Sequence, residues 1–346
     1  MKTGSPHVAS LINARSLHDD ELGSVTALTA DNFNILKKLS IKRLILNADS
    51  MREPHWHANA DELAYCISGT LLISILDNES QFSSFMLEKG QMFHINSGSL
   101  HSIENIGNDT AELIIAFSHE RPEDFSLYAT FGAMSNAVLG NTYDLPASSF
   151  ENIKRSTLSP YIVKKNRPTT HHFGAELRNA HKFDVEAMAA PVSGVAGAAR
   201  TAKSMFWPVL KNISMFSLTI TADGMREPHW HPDTAEMGYV HKGEARMTVL
   251  GPHGKTDTFY LQAGDVYFIP KAYPHHIEVT GDKDIHFLIF FDQPTPGDIG
   301  LRASASMVLP DVLAATFGLS ADSLPHFPFT PVDPLIVSRI NPVDPQ

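Results

Sequence analysis

The sequence has almost no cysteine: Cys66 is the single one in 346 residues. One cysteine cannot form a disulfide within the chain, so the fold does not need an oxidising compartment. Cys66 lies in a short apolar run, residues 63–67, and we expect it to fill a position in a buried β-strand.

Long apolar runs and clusters of basic residues are also missing. No stretch reaches the roughly 18 apolar residues that a membrane-spanning helix needs, and residues 1–23 lack the apolar core of a signal peptide. We therefore expect a cytoplasmic protein. The formal net charge of -11 and the pI near 5.9 argue against nucleic acid or an anionic membrane surface as the main partner. A small ligand is favoured instead.

The most informative feature is a sequence of seven residues that occurs twice. Met-Arg-Glu-Pro-His-Trp-His occupies residues 51–57 and returns, 174 positions later, at residues 225–231. The same offset relates further pairs, namely Glu62 and Glu236, Gly69 and Gly243, His101 and His275, and Phe117 and Phe291. The chain therefore contains two copies of one domain with no net insertion between them.

Each copy consists mainly of short apolar runs separated by Gly, Asp and Asn, a pattern typical of an antiparallel sandwich or barrel. After each set of runs, residues 126–143 and 300–317 place apolar residues at helical spacing. We predict an all-β protein with two tandem barrels, each followed by a short helical tail. The predicted segments are an N-terminal arm (1–31), a first barrel domain (32–145), a connection (146–201), a second barrel domain with its tail (202–325) and a C-terminal extension (326–346).

The arm and the connection have weaker signals. We expect the arm to pack against a neighbouring domain or subunit, with a partly disordered tail as the alternative. The connection is expected to contain strands equivalent to the arm. Its three histidines, His171, His172 and His181, are interpreted as surface residues because none has an acidic partner at ligand spacing.

The histidines of the repeat have the spacing of metal ligands. His55 and His57 are two residues apart, so on a strand both side chains leave the same face. Glu62 follows where a hairpin can return it to that face, and His101 lies just after a turn. Polar residues on a barrel wall are the alternative, but it is disfavoured by a second complete set, which consists of His229, His231, Glu236 and His275. Three imidazoles and one carboxylate suit Mn, Fe, Ni, Cu or Zn.

The same residues carry a resemblance to a known family. His55, His57, Glu62 and Gly69, followed by Gly90, Gly98 and His101, resemble the two-part signature of the cupins, and the second copy matches with His229, His231, Glu236, Gly243, Gly264, Pro270 and His275. Asn96 and Ala272 depart from the family pattern at turns. The resemblance implies two cupin barrels, which are jelly-roll-like double-stranded β-helices, and a metal-binding bicupin.

Arg52 and Arg226, three residues before each first histidine, resemble those of the oxalate decarboxylase group. That resemblance implies manganese at two sites, dioxygen, and a small carboxylate held by these arginines, since a guanidinium pairs with carboxylate in a bidentate fork. An arginine paired with Glu53 or Glu227 outside the barrel is the alternative.

The resemblance also implies a glutamate on a mobile lid as proton source. The lid is expected at residues 118–124, where Glu120 and Glu123 offer acids, although both can equally be solvated charges. We interpret Asp124 as a helix N-cap. The second copy has Pro294 and Gly297 at the glutamate positions, so the N-terminal site is predicted to be catalytic and the second mainly structural.

Other functions stay open at this point. A cupin dioxygenase or isomerase would use iron, nickel or zinc on a ring or sugar substrate. A non-catalytic binding or storage bicupin is disfavoured by eight retained ligands. The resemblance further implies a homotrimer or homohexamer assembled through the helical tails.

Overall fold

The computed structural model describes residues 4–78, 81–166 and 179–343. The chain divides into two compact units, residues 13–187 and residues 1–12 together with 188–346. These units cut across the segments predicted from the sequence, because the arm and the connection each contribute to both. His171 and His172 lie outside the described residues.

Antiparallel strands make up most of the N-terminal unit. After β1 (Val8–Ser10), which belongs to the C-terminal unit, its strands are β2 (Ser16–Asp20), β3 (Gly23–Leu28), β4 (Ser40–Leu46), β5 (Ser50–His57), β6 (Glu62–Ser68), β7 (Thr70–Leu76), β8 (Phe82–Glu88), β9 (Gln91–Ile95), β10 (Leu100–Asn105), β11 (Ala111–Phe117), β12 (Asp124–Ser126), β13 (Ile162–Lys164) and β14 (Lys182–Asp184). One sheet has the order β14-β9-β6-β11-β4-β3-β2, and the other has β12-β5-β10-β7-β8 with β13 also paired to β5.

The C-terminal unit repeats this arrangement. Its further strands are β15 (Val192–Gly194), β16 (Gly197–Ala202), β17 (Ser214–Ile220), β18 (Gly224–Trp230), β19 (Glu236–Lys242), β20 (Glu244–Leu250), β21 (Thr256–Gln262), β22 (Asp265–Ile269), β23 (His275–Val279), β24 (Ile285–Phe291), β25 (Ile299–Gly300) and β26 (Ile336–Ser338). Its sheets have the orders β1-β22-β19-β24-β17-β16-β15 and β21-β20-β23-β18-β25, with β26 paired to β18. The all-β class and the two tandem barrels are confirmed.

Alternating side chains explain why each pair of sheets encloses a core. In β10, His101, Ile103 and Asn105 are buried while their neighbours are half-buried, as expected for a strand with one face inside. The interior of the N-terminal barrel combines apolar side chains from both sheets, such as Leu44 and Ile115 from one sheet and Ile73 and Ile103 from the other. Cys66 is fully buried in β6, as predicted.

The arm and the connection supply equivalent edge strands to the two units. Val8 in β1 pairs with Tyr267 of the C-terminal unit, and Lys182 in β14 pairs with Phe93 of the N-terminal unit. The expectation that the connection contains a strand equivalent to the arm is therefore confirmed. His181 beside β14 is not a surface residue, since its side chain is 14% exposed and its Nδ1 lies 2.8 Å from the carbonyl oxygen of His94.

Each predicted helical tail consists of two short helices. They are α1 (Leu127–Ala133) and α2 (Asn136–Tyr143) in the first copy, and α3 (Leu301–Met307) and α4 (Pro310–Phe317) in the second. Ser126 and Ser135 divide the first tail because each hydroxyl accepts from a backbone N–H one turn ahead and so begins a new helix. No helix among the described residues has the length and apolar character needed to cross a bilayer.

Candidate metal centres and their cavities

Neighbouring strands bring each predicted ligand set together inside its barrel. In the N-terminal unit, β5 contributes His55 and His57, β6 begins with Glu62, and β10 contributes His101 directly opposite His55. All four side chains are buried, and their ligand atoms lie within 4.8 Å of one another. Glu62 Oε2 lies 2.8 Å from His57 Nε2 and 3.2 Å from His101 Nε2.

The C-terminal unit has the same cluster, formed by His229, His231, Glu236 and His275. Glu236 Oε2 lies 2.7 Å from His231 Nε2 and 3.2 Å from His275 Nε2. Both clusters have the composition and spacing that a divalent metal requires.

Each histidine of the N-terminal cluster is oriented through its other ring nitrogen. The Nδ1 atoms of His55 and His101 lie 2.7 and 3.0 Å from the carbonyl oxygens of Glu53 and Ser99. A carbonyl only accepts, so Nδ1 donates and Nε2 keeps the lone pair that a metal needs. His57 Nδ1 lies 2.7 Å from a carboxylate oxygen of Asp124.

The charge states of the cluster agree with ligation. Burial, together with the Arg52 cation, lowers the pKa of His55 well below its ordinary value, so this imidazole is neutral. Burial alone would raise the pKa of Glu62, but His101 and His57 outweigh it and hold that pKa below its usual range. The cluster therefore presents an ionised carboxylate beside a neutral imidazole.

Two buried atoms show that the N-terminal cluster fits a metal. Within the described part of the chain, Glu62 Oε1 and His101 Nε2 have no hydrogen-bond partner. Such a buried polar atom is costly unless another group satisfies it, and a cation between these residues would do so. In the second cluster the matching oxygen, Glu236 Oε1, accepts a 2.5 Å hydrogen bond from Tyr267, which occupies the position of Phe93.

A β-bulge places Arg52 on the same face as the histidines. Arg52 and His55 are three residues apart, which in a regular strand puts them on opposite faces. Opposite them, however, β10 pairs Ile103 with Arg52 and His101 with His55, so one residue of β10 faces two of β5. Arg226 reaches its cavity through the same irregularity in β18. Both arginines are buried inside the barrels, not paired outside them.

Each cluster opens into a small cavity. Arg52, His55, His57 and Glu62 line the N-terminal one, which holds about 20 Å³ of space for water-sized groups. The C-terminal cavity, lined by Arg226 and its neighbouring ligands, is equally small. Space of this size holds about one water-sized group beside the clustered side chains.

Asp124 is not the helix N-cap that we predicted, since Ser126 caps α1. Asp124 begins β12, pairs with His57 in the sheet and lines the cavity. Its carboxylate lies 2.5 Å from the ammonium of Lys42. Burial would raise the pKa of Asp124, but Lys42 and the hydrogen bond from His57 lower it well below its usual range.

Glu120 and Glu123 do not line the cavity in this conformation. The Glu120 carboxylate accepts a 2.8 Å hydrogen bond from the backbone N–H of Lys38, and Glu123 is exposed. Their proposed part in proton transfer is thus not supported by a direct contact with the cluster.

The sequence reasoning missed two cavity residues, Lys42 and Tyr161. Lys42 lies in β4, and the carbonyl oxygen of Tyr161 accepts a 3.1 Å hydrogen bond from Arg52 Nη1. A lysine within the apolar run 39–46 was one available signal. The other was the repeat itself, which extends to Pro160-Tyr-Ile-Val and Pro334-Leu-Ile-Val.

Comparisons with known proteins agree with this geometry. The chain matches the Cupin family over residues 11–149 and again over residues 187–323. It is 28% identical to the oxalate decarboxylase OxdC of Bacillus subtilis (strain 168) over 315 residues, covering 87% of this chain and 79% of that protein. It is also 28% identical to a probable oxalate decarboxylase of Arthroderma benhamiae over 280 residues, covering 78% of this chain and 68% of that protein.

The structure of the chain is also similar to solved structures of an oxalate decarboxylase. A Bacillus subtilis oxalate decarboxylase structure, from work on its Mn(II) centres, superposes with a TM-score of 0.86 at 25% identity, covering 98% of this chain and 90% of that one. Since the family match extends over both units and each has a complete ligand set, the chain belongs to the cupin family and is a bicupin resembling the oxalate decarboxylases.

Proposed function

We propose that this bicupin is a manganese-dependent oxalate decarboxylase that converts oxalate, or a related small carboxylate, to formate and carbon dioxide at its N-terminal site. The observation that carries the proposal is the presence of Arg52 in the same small cavity as a three-histidine, one-glutamate cluster. The relatives named oxalate decarboxylase support the choice of substrate.

His55, His57, Glu62 and His101 would hold the metal. When bound, manganese supplies positive charge and, with dioxygen, one-electron chemistry at the substrate. Arg52 binds the substrate carboxylate, because its buried guanidinium offers parallel N–H donors that match two carboxylate oxygens. The apolar walls formed by Leu44, Ile103 and Ile115 limit the access of water.

The reaction breaks the carbon–carbon bond and needs one proton. One half of oxalate leaves as carbon dioxide, and the other half keeps the electron pair and takes a proton to become formate. Glu120 and Glu123 stay the proposed donors, since they lie on the segment 118–124 that leads to the cavity. For either to act, that segment has to move and release the contact between Glu120 and Lys38.

The other functional classes receive less support. The relatives reported above are named oxalate decarboxylases, not dioxygenases or isomerases. A storage protein has no need for two complete, oriented ligand sets.

The assay is turnover of oxalate by protein loaded with Mn(II), at mildly acidic pH and in air, with formate, carbon dioxide and peroxide measured. We expect formate and carbon dioxide in equal amounts and little peroxide. Oxalate that stays unconsumed by protein of verified manganese content would contradict the proposal. Peroxide in place of formate would show oxidation instead.

We also propose that the protein is a homotrimer or homohexamer. Several apolar side chains on the helical tails are exposed, among them Met134, Val138, Val312 and Phe317. Exposed apolar groups concentrated on one element are typical of an interface. Light scattering should give three or six times the 38.0 kDa chain mass, whereas a monomer or a dimer would contradict this proposal.

A further inference from the structure

The linings of the two cavities correspond residue by residue at the offset of 174 and differ at three positions. The ligands, the arginines and the aspartates Asp124 and Asp298 are shared. Val25, Lys42 and Tyr161 of the N-terminal lining are replaced by Ala199, Phe216 and Leu335 in the C-terminal one. Lys42 is the one charged residue among these differences.

Lys42 is held inside the barrel by its partners. The residue is 7% exposed, and its ammonium lies 2.5 Å from Asp124 Oδ2 and 4.7 Å from the centre of the Phe117 ring. The Asp124 side chain, which is 21% exposed, contacts two groups, Lys42 and the Nδ1 of His57. Lys42 is the partner that the second copy lacks.

The two arginines differ in what they contact. Arg52 Nη2 lies 3.8 Å from Asp124 Oδ2, which is beyond hydrogen-bond distance. Arg226 Nη2 instead donates a short hydrogen bond to Asp298, where Phe216 offers no competing cation. In both arginines Nη1 donates to an equivalent carbonyl oxygen, which is that of Tyr161 for Arg52 and that of Leu335 for Arg226.

The residues beside the arginines also differ between the copies. Glu53, which lies 3.8 Å from Arg52 Nη1, accepts a hydrogen bond from the hydroxyl of Ser159. In the second copy that serine is replaced by Asp333, which contacts Glu227.

We propose that Lys42 is a positioning residue: it binds Asp124, keeps that carboxylate off Arg52, and so leaves the Arg52 guanidinium edge free for a substrate carboxylate. Where Phe216 replaces the lysine, Asp298 accepts a hydrogen bond from Arg226. The asymmetry makes the N-terminal site the one that accepts a small anionic carboxylate. This inference rests on the proposed function and adds the reason why one of two matching sites is selected.

The test compares oxalate binding by Mn(II)-loaded wild type, Lys42→Met and Lys42→Met/Asp124→Asn, measured calorimetrically without oxygen. Lys42→Met should weaken binding at least about tenfold, because Asp124 turns to Arg52. Adding Asp124→Asn should restore affinity to within a few-fold by removing the competing charge. Arg43→Met, which removes a neighbouring cation paired with Glu112, is the matched control and should bind normally.

Two results would overturn the inference: unchanged binding in Lys42→Met, or a loss that Asp124→Asn does not reverse. The latter would mean that Lys42 contacts the substrate or only supports the fold. A crystal structure of Lys42→Met gives an independent readout, in which Arg52 and Asp124 should come within about 3 Å. If wild type neither binds nor consumes oxalate, the proposed function fails, and this distance alone decides the inference.

Discussion

Arg52 and Lys42 reach the N-terminal cavity for different reasons, and each illustrates how local backbone geometry decides what a side chain can do. Arg52 depends on the bulge in β5, where Pro54 lacks the N–H that regular pairing would use. Lys42 lies on the inward face of β4, where an apolar residue is the usual choice. Two cations thus share one barrel interior with the ionised side chain of Asp124.

Arg52→Lys should reduce kcat/KM for oxalate about 10- to 100-fold, or roughly 1.4–3 kcal/mol, because an ammonium cannot reproduce the planar pair of donors. Steady-state kinetics at equal manganese content measures this effect. Arg43→Lys, the same substitution in β4 of the other sheet, is the control. Equal kcat/KM values for wild type and Arg52→Lys would exclude carboxylate binding by this arginine.

At the scale of single residues, the eight side chains of the two ligand clusters could be predicted. The two-residue spacing on a strand and the exact repeat of the heptamer both constrain them. The position of Asp124 could not, because it depends on β12 pairing with β5 across 67 residues of chain. Pairing between such distant segments leaves no local pattern. The hydrogen bonds that Asp124 makes to His57 and Lys42 therefore became visible only in the folded chain.

Among the elements, the sequence indicated strands in the arm and the connection but not their bounds or their pairing partners. Leu11, just after β1, is fully buried, and its N–H donates to the carbonyl oxygen of Gly264. Short strands in a polar segment have too few residues to produce a clear period. The helical tails were predicted because their apolar spacing extends over about five turns, although the capping serines that split the first tail were not recognised.

Leu11→Ala should lower the free energy of unfolding by about 2–4 kcal/mol, since it leaves a cavity beside β22 in the C-terminal unit. Ile12→Ala is a matched neighbour with a side chain 44% exposed, and its effect should stay below about 1 kcal/mol. Calorimetric melting of the two variants compares them directly. Similar melting profiles would show that the β1 segment contributes little to the C-terminal unit.

For the whole molecule, the repeat predicted the architecture well, because a duplicated pattern of strands and ligands has few structural solutions. The identical ligands and arginines do not distinguish the two sites, and the sequence distinguished them only through Glu120 and Glu123, whose counterparts are Pro294 and Gly297. The differences in the cavity linings at Lys42 and Tyr161 lie outside the repeated heptamer and became visible only in the folded chain.

The central claim is that the N-terminal site performs the chemistry. It is tested most directly by formate production from oxalate in two matched variants, His101→Ala and His275→Ala, with manganese content determined for each. Both should hold one manganese fewer than wild type. We predict that His101→Ala loses formate production while His275→Ala keeps most of it. Retained activity in His101→Ala together with its loss in His275→Ala would contradict the account.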